Sequence, residues 1–215
     1  MKYKAIIFDL DGVICHTDRY HYMAWKELAD KIGVYFDERI NNRLRGISRM
    51  ESLEIILERW GGAPLSEEEK IRLAEEKNSI YRELLKQMSP KDLSREVKDT
   101  LDSLRAEGLK LAIGSSSKNA RFILGQIGLG DYFDAISDGN NITRSKPYPD
   151  VYQMAALYLN IDPSNCLVVE DAKAGIDAAA AAGMDSVAIG DAYGYSEATY
   201  SLNNFSELLQ ICKVH

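Results

Sequence analysis

The stretch AIIFDLDGVICHTD, residues 5–18, constrains this chain more than any other. An apolar run ends in two carboxylates, Asp9 and Asp11, with a single leucine between them, and Gly12 follows at once. Side chains alternate along a strand, so residues two apart face the same way. If the extended path continues to Asp11, both acids look into one crevice. That crevice lies beyond the carboxyl end of a buried strand, where open α/β sheets bind their ligands. Adjacent carboxylates raise one another's pKa unless a cation sits between them. Mg2+ suits such oxygen donors and keeps water and substrate phosphate in its shell.

Further short apolar runs read as buried parallel strands: KAIIF (4–8), LKLAIG (109–114), CLVVE (166–170) and SVAIG (186–190), with DAIS (134–137) a weaker one. From residue 95 onward they alternate with helical patterns, which predicts an α/β fold with a doubly wound parallel sheet. Residues 16–90 break that rhythm, since nothing there reads as a strand. Trp25, Leu28 and Ile32 fall at helical spacing before Gly33, and Ser48/Glu51 and Ser66/Glu69 stand in capping-box register. A third stripe runs through Ile71, Ala74, Tyr81, Leu84 and Met88, interrupted by Lys77 and Asn78. The expected organisation is an α/β core of residues 1–15 and 91–215 with an all-helical cap, 16–90, inserted into it.

Strand ends supply the remaining chemistry. Glu170 and Asp171 close the run CLVVE as a second acidic pair, so four carboxylates are expected around one point. GSSSKN brings Ser115 to Ser117, Lys118 and Asn119 to a strand-to-helix junction, where backbone N–H groups favour anions. Lys146 is followed by prolines that stiffen its loop. The net charge is -7, which provides no overall basic field for nucleic acid or an anionic membrane. Phosphate must therefore be met by local cations. A lysine about 4 Å from a phosphate oxygen contributes roughly 4 kcal/mol of direct attraction at an effective dielectric near 20. Asp9 can then attack phosphorus while Asp11 shuttles a proton.

These stations, DLDGV, Ser115 of SSS, Lys146 and the acids 170–171, occur in order along essentially the whole chain and resemble the haloacid dehalogenase superfamily. The resemblance implies a HAD-like Rossmannoid core with strand order 5-4-1-2-3. It makes Asp9 the nucleophile, Asp11 the general acid/base, and Ser115 and Lys146 their catalytic partners. It assigns Mg2+ to Asp9, the backbone carbonyl of Asp11, and Asp171, with Glu170 nearby. HYMAWK, LRGISR, the pair Lys77–Asn78, SPKD and SSSKN further resemble the β-phosphoglucomutase family within that superfamily. The implied substrate is a small phosphorylated sugar, with β-D-glucose 1,6-bisphosphate as intermediate and activator. The implied substrate contacts are Thr17, His21, Trp25, Gly46, Ile47, Ser48, Arg49, Ser52, Lys77, Asn78, Ser116, Ser117, Lys118 and Asn119.

The cap residues also carry physical weight. Gly46, Ile47 and Ser48 lead directly into a predicted helix start, so Arg49 and the first amides offer a seat for a second phosphate. His16 stands where relatives often carry aspartate, leaving Thr17 as the hinge residue, and Ala172 stands where serine is common. Two activities share the core chemistry: a mutase, and a sugar-phosphate phosphatase in which water takes the phosphoryl group. Only the cap discriminates between them. Cys15, Cys166 and Cys212 lack metal-ligand spacing and read as reduced. The N-terminal apolar run is too short for a signal or a membrane span. The expectation is a cytoplasmic monomer without nucleic-acid or membrane partners.

Overall fold

The computed structural model describes residues 2–44 and 47–213. Its central sheet comprises β1 (Ala5–Phe8), β2 (Lys110–Gly114), β3 (Ala135–Ser137), β4 (Cys166–Glu170), β5 (Asp185–Ala188) and β6 (Tyr200–Ser201). They lie in the order β3-β2-β1-β4-β5-β6 with every pairing parallel. The first five follow the order the family resemblance implies. The two-residue β6 was not expected. It pairs with Val187 and Ala188, and the Tyr3 hydroxyl reaches Tyr200 at 3.2 Å and Asp185 at 2.6 Å.

Register fixes the level of each strand end. Phe8 pairs with Ile113 on one side and Val169 on the other, so Asp9, Gly114 and Glu170 stand level at the carboxyl edge. The strands read as continuous apolar runs because helices cover both faces. On one face Ala5, Ile7, Ala112 and Val168 pack against α7 (Asp150–Leu159) and α8 (Lys173–Ala181). The alanine run of α8 buries Ala178 and Ala179 there, small side chains allowing close approach. On the other face Phe8 stacks on Phe205 with ring centroids 5.7 Å apart. The amphipathic α5 (Arg95–Ala106) buries Val97, Leu101 and Leu104, and Gly108 ends its turn at φ +85. Two short helices, α6 (Ala120–Gln126) and α9 (Leu208–Lys213), complete this part.

Packing divides the chain into two compact units, Met1–His16 with Ser89–His215, and Thr17–Met88. The regular elements among the described residues of the second are all helices: α1 (Asp18–Lys31), α2 (Glu38–Asn42), α3 (Arg49–Leu57) and α4 (Glu67–Leu85). Trp25, Leu28, Phe36, Leu53, Ile56 and Ala74 form its apolar centre. Both expected capping boxes are present, Ser48 with Glu51 and Ser66 with Glu69. The α4 stripe differs from the expected one. Ile71 is exposed and Met88 lies beyond the helix, while the buried face is Ala74, Lys77, Tyr81 and Leu85. A lysine thus occupies a core-facing position. Among the described residues no helix is long and apolar enough to cross a membrane.

Candidate active site

Asp9 follows β1 directly, and its amide donates to the Val169 carbonyl at 2.9 Å, so it continues the sheet edge. Beyond it the extended path stops. The amides of Ile14 and Cys15 both turn back to the Leu10 carbonyl, and Gly12 adopts φ +90. The expected four-carboxylate cluster therefore becomes three: Asp9, Glu170 and Asp171 offer oxygens within 4.8 Å of one another. The carboxylate of Asp11 is outside that trio, although its charge still raises the pKa of Asp9. Gly12 serves a second purpose. A Cβ there would lie 1.9 Å from Asp171 Oδ2, so only glycine lets this turn close against that acid.

Lys146 links the acids. Its buried ammonium lies 2.5 Å from Asp9 Oδ1 and also bonds Glu170 Oε1. Burial opposes its charge, but Asp9 and Glu170 win and its pKa rises. Asp9 behaves oppositely. Burial pushes its carboxyl well above the usual range, Lys146 pulls it back, and Glu170, Asp171 and Asp11 add to the rise. Three carboxylates face one ammonium, so negative charge remains in excess. The donors are all oxygen and one is backed by a glycine turn, a set that fits Mg2+ better than a softer metal.

Ser115 follows β2, is buried, and accepts the Ser117 amide on its hydroxyl at 3.1 Å. Ser117 in turn accepts the Asn119 amide at 3.2 Å, so two hydroxyls shape the loop. Ser116 Oγ is buried without a hydrogen-bond partner among the described residues, while Lys118 is exposed and Asn119 buried. An unsatisfied hydroxyl beside an exposed ammonium is what a ligand-binding loop leaves open.

In the helical unit, Arg49 opens α3, and its Nη2 donates to Asn78 Oδ1 at 2.9 Å. The anion seat expected at this helix start is narrower than the sequence implied. Glu51 accepts the Ser48 amide at 2.8 Å, and the Ser48 hydroxyl receives the Glu51 amide at 3.3 Å. The Ser52 hydroxyl is buried and donates to the Ser48 carbonyl. Capping thus engages Ser48 and Ser52 and brings a carboxylate to the same terminus, which leaves Arg49 as the cationic group. Ile47 is partly buried beside it, and Gly46 lies outside the described residues. Thr17 is fully buried, and its carbonyl accepts the amides of Tyr20 and His21.

Lys77 is 2% exposed, and its ammonium stands 4.8 Å from the Trp25 ring centroid and 4.5 Å from that of Tyr81. Aromatic faces replace part of the water it lost. Its Nζ also lies 2.9 Å from His21 Nδ1. An ammonium can only donate, so Nδ1 accepts and the imidazole is neutral with its proton on Nε2. Burial, then Lys77, then Arg49 lower the His21 pKa well below its ordinary range. Trp25 belongs to the apolar centre of the unit and serves it as a wall for Lys77.

The sequence reading missed Tyr152. Its hydroxyl donates to Glu170 Oε1 at 2.6 Å, and its ring lies against Gly114, where a Cβ would meet Tyr152 Cδ1 at 2.8 Å. Gly175 completes the enclosure, since a Cβ there would lie 1.9 Å from Glu170 Oε1. With the Ala172 amide on Oε2 at 3.0 Å, Glu170 is held by Tyr152, Lys146 and the backbone. A tyrosine six residues after a candidate catalytic lysine, in the first turn of the next helix, was the available signal.

Tyr152→Phe keeps the ring and deletes one donor to a buried carboxylate, so it should cost about 1–3 kcal/mol in urea unfolding; a loss under about 0.5 kcal/mol would contradict the contact. The His21 pair sets a pH dependence. Its folded pKa is depressed, so its contribution is complete above the unfolded value near 6.5 and declines as the pH falls below it. Melting from pH 7.5 to 5.5 should lose at most about 1.4 kcal/mol per pH unit from this group, and His21→Gln should flatten that slope. An unchanged slope would place the imidazole in solvent.

Comparison with known proteins agrees with this geometry. A family model described as haloacid dehalogenase-like hydrolase matches residues 3–183. The chain is 44% identical over 189 residues to a β-phosphoglucomutase of Bacillus subtilis, covering 87% of this chain and 83% of the relative. It is 34% identical over 187 residues to a fructose-1-phosphate phosphatase of Escherichia coli, covering 86% and 96%. The crystal structure of a β-phosphoglucomutase from Clostridium difficile superposes with a TM-score of 0.89 at 40% identity, covering 98% of this chain and 96% of that one. An acidic carboxyl edge, a hydroxyl-rich second loop and a lysine bridging two of the acids are thus joined by direct sequence kinship: the chain belongs to the haloacid dehalogenase-like hydrolases and is an enzyme of that superfamily.

Proposed function

We propose that the enzyme is a Mg2+-dependent phosphosugar mutase interconverting β-D-glucose 1-phosphate and glucose 6-phosphate through an aspartyl-phosphate on Asp9 and β-glucose 1,6-bisphosphate. The observation that carries this reading is the second cationic centre, in the helical unit. There Arg49 is fixed by Asn78, and Lys77 is buried among Trp25, Tyr81 and His21. A bisphosphate needs an anion seat at each end, and a hydrolase acting on one phosphate has less use for the second. The 44% identical mutase relative supports the same choice.

An Asp9 carboxylate oxygen attacks a phosphorus of the bisphosphate. The bond from phosphorus to the sugar oxygen breaks, and that oxygen takes the proton of Asp11. The sugar monophosphate is released, and Asp9 carries the phosphoryl group. In the return half, Asp11 removes a proton from the hydroxyl at the other end of the incoming sugar as that oxygen attacks phospho-Asp9. Lys146 has three N–H donors, of which Asp9 and Glu170 take two, so the third is available to a phosphoryl oxygen. Ser115 is buried directly after the end of β2. Asp9, Asp171 and the Asp11 carbonyl would hold Mg2+, whose charge offsets the acidic excess, keeps Asp9 ionised and stabilises charge on the transferring group.

One observation favours a second reading: the 34% identical relative is a fructose-1-phosphate phosphatase. In a sugar-phosphate phosphatase the first half-reaction is the same, and water accepts the phosphoryl group from Asp9. The acids and Lys146 do not distinguish the two; the accepting group does.

Supplied with Mg2+, β-glucose 1-phosphate and a trace of the bisphosphate, the enzyme should form glucose 6-phosphate well ahead of free phosphate. Prompt phosphate without glucose 6-phosphate would establish the hydrolase instead. Arg49→Ala removes a charged partner of the far phosphate, and isomerisation should fall about 10- to 100-fold while acetyl phosphate hydrolysis changes about twofold or less. Equal losses would remove the helical unit from the account.

A further inference from the structure

The segment Ser137–Asn141, which begins at the last residue of β3, bonds repeatedly to the candidate phosphate loop Ser115–Asn119. The Ser137 carbonyl accepts the Ser115 amide at 3.1 Å, and the Gly139 amide donates to the Ser117 carbonyl at 3.2 Å. The Asn140 side-chain amide donates to the Lys118 carbonyl at 3.0 Å. Contact is closest at Gly139, where a Cβ would lie 2.4 Å from the Ser116 carbonyl oxygen and 3.0 Å from the Lys118 backbone nitrogen. Asn140 is itself clamped, since its backbone amide and its Nδ2 both reach Asp138 Oδ1, at 2.9 and 3.0 Å. Asp138 is 3% exposed, and its amide donates to Asn141 Oδ1. The turn is thus tied internally before it meets the loop.

These contacts have an electrostatic consequence. A loop that binds phosphate must present donors and cations and keep its carbonyl oxygens, each a partial negative charge, turned away. Gly139 and Asn140 engage the carbonyls of Ser117 and of the exposed Lys118 itself. We infer that Gly139 and Asn140 are positioning residues that set phosphate affinity by holding the loop's carbonyl oxygens off the anion. The inference rests on the reading of Ser115–Asn119 as a phosphate-binding loop and adds a determinant outside that loop. Asn140 acts through Lys118, so the effect falls on binding and not on the transfer step.

Calorimetric titration with inorganic phosphate in saturating Mg2+ tests this without reference to turnover. Asn140→Asp sets a carboxylate oxygen against the Lys118 carbonyl and should weaken phosphate binding about tenfold, because the carbonyl is repelled from its tether and a negative charge is added beside the loop. Asn140→Ala, which only deletes the donor, should weaken it about threefold to fivefold, and it keeps the test decisive if the aspartate variant fails to fold. With β-glucose 1-phosphate, KM should rise by matching factors while kcat stays within about twofold, a split that general loosening of the fold would not produce. Phosphate affinity unchanged in both variants, or kcat falling with KM constant, overturns the inference alone. Failure of the unaltered protein to bind phosphate overturns it together with the loop reading, whereas phosphate binding without mutase turnover leaves it standing and removes only the mutase.

Discussion

Crowding of Asp9, Glu170 and Asp171 at one strand edge is the constraint to which the surrounding structure answers. Burial pushes the carboxyl of Asp9 up against the pull of Lys146, and the like charges of Glu170 and Asp171 add to the rise. Lys146 neutralises part of the cluster, and Tyr152 with the Ala172 amide satisfies Glu170. Gly12, Gly114 and Gly175 each give up a side chain so that an acid, or the tyrosine serving one, can stand where it does. What remains is a deficit of positive charge on an all-oxygen set of donors. On the proposed reading, a divalent cation followed by a phosphoryl group would meet that deficit and leave Asp9 ionised as the nucleophile.

The helical unit solves a related problem differently. Lys77 is buried against the faces of Trp25 and Tyr81, which offset its desolvation. A neutral His21, stacked on Tyr81 with centroids 4.1 Å apart, accepts a hydrogen bond from the ammonium. Such an arrangement holds the ammonium in one place by ring faces and a neutral acceptor. Arg49 is likewise steered by a neutral Asn78, with Glu75 supporting its charge.

Much of this was legible in the sequence because it depends on local rules. Each apolar run that ends in an acid or a hydroxyl became a strand with that residue at its carboxyl edge, and the parallel register then levelled Asp9 with Glu170. Both capping boxes were readable from a serine and a glutamate three residues apart. The misses share a different cause. Tyr152 is defined by a partner 18 residues away, and β6 by an edge contact of two residues in a polar stretch. Asp11 leaves the carboxylate trio because Gly12 bends the chain, a conformation the strand pattern does not announce. Ile71 kept helical spacing yet faces solvent, since periodicity gives a stripe and packing chooses its edges. Gly139 and Asn140 gave no signal at all, because their role is to touch another loop.

Charge excess at the acidic cluster is the central claim, and thermal melting of the unaltered protein and Asp171→Asn, each with and without Mg2+, tests it most directly. The account predicts that the asparagine variant melts higher than the unaltered protein when no metal is present, because one repelling charge is gone. It also predicts that Mg2+ raises the melting temperature of the unaltered protein and leaves the variant nearly unmoved. A metal-free variant that melts lower, together with equal Mg2+ stabilisation of both, would contradict it.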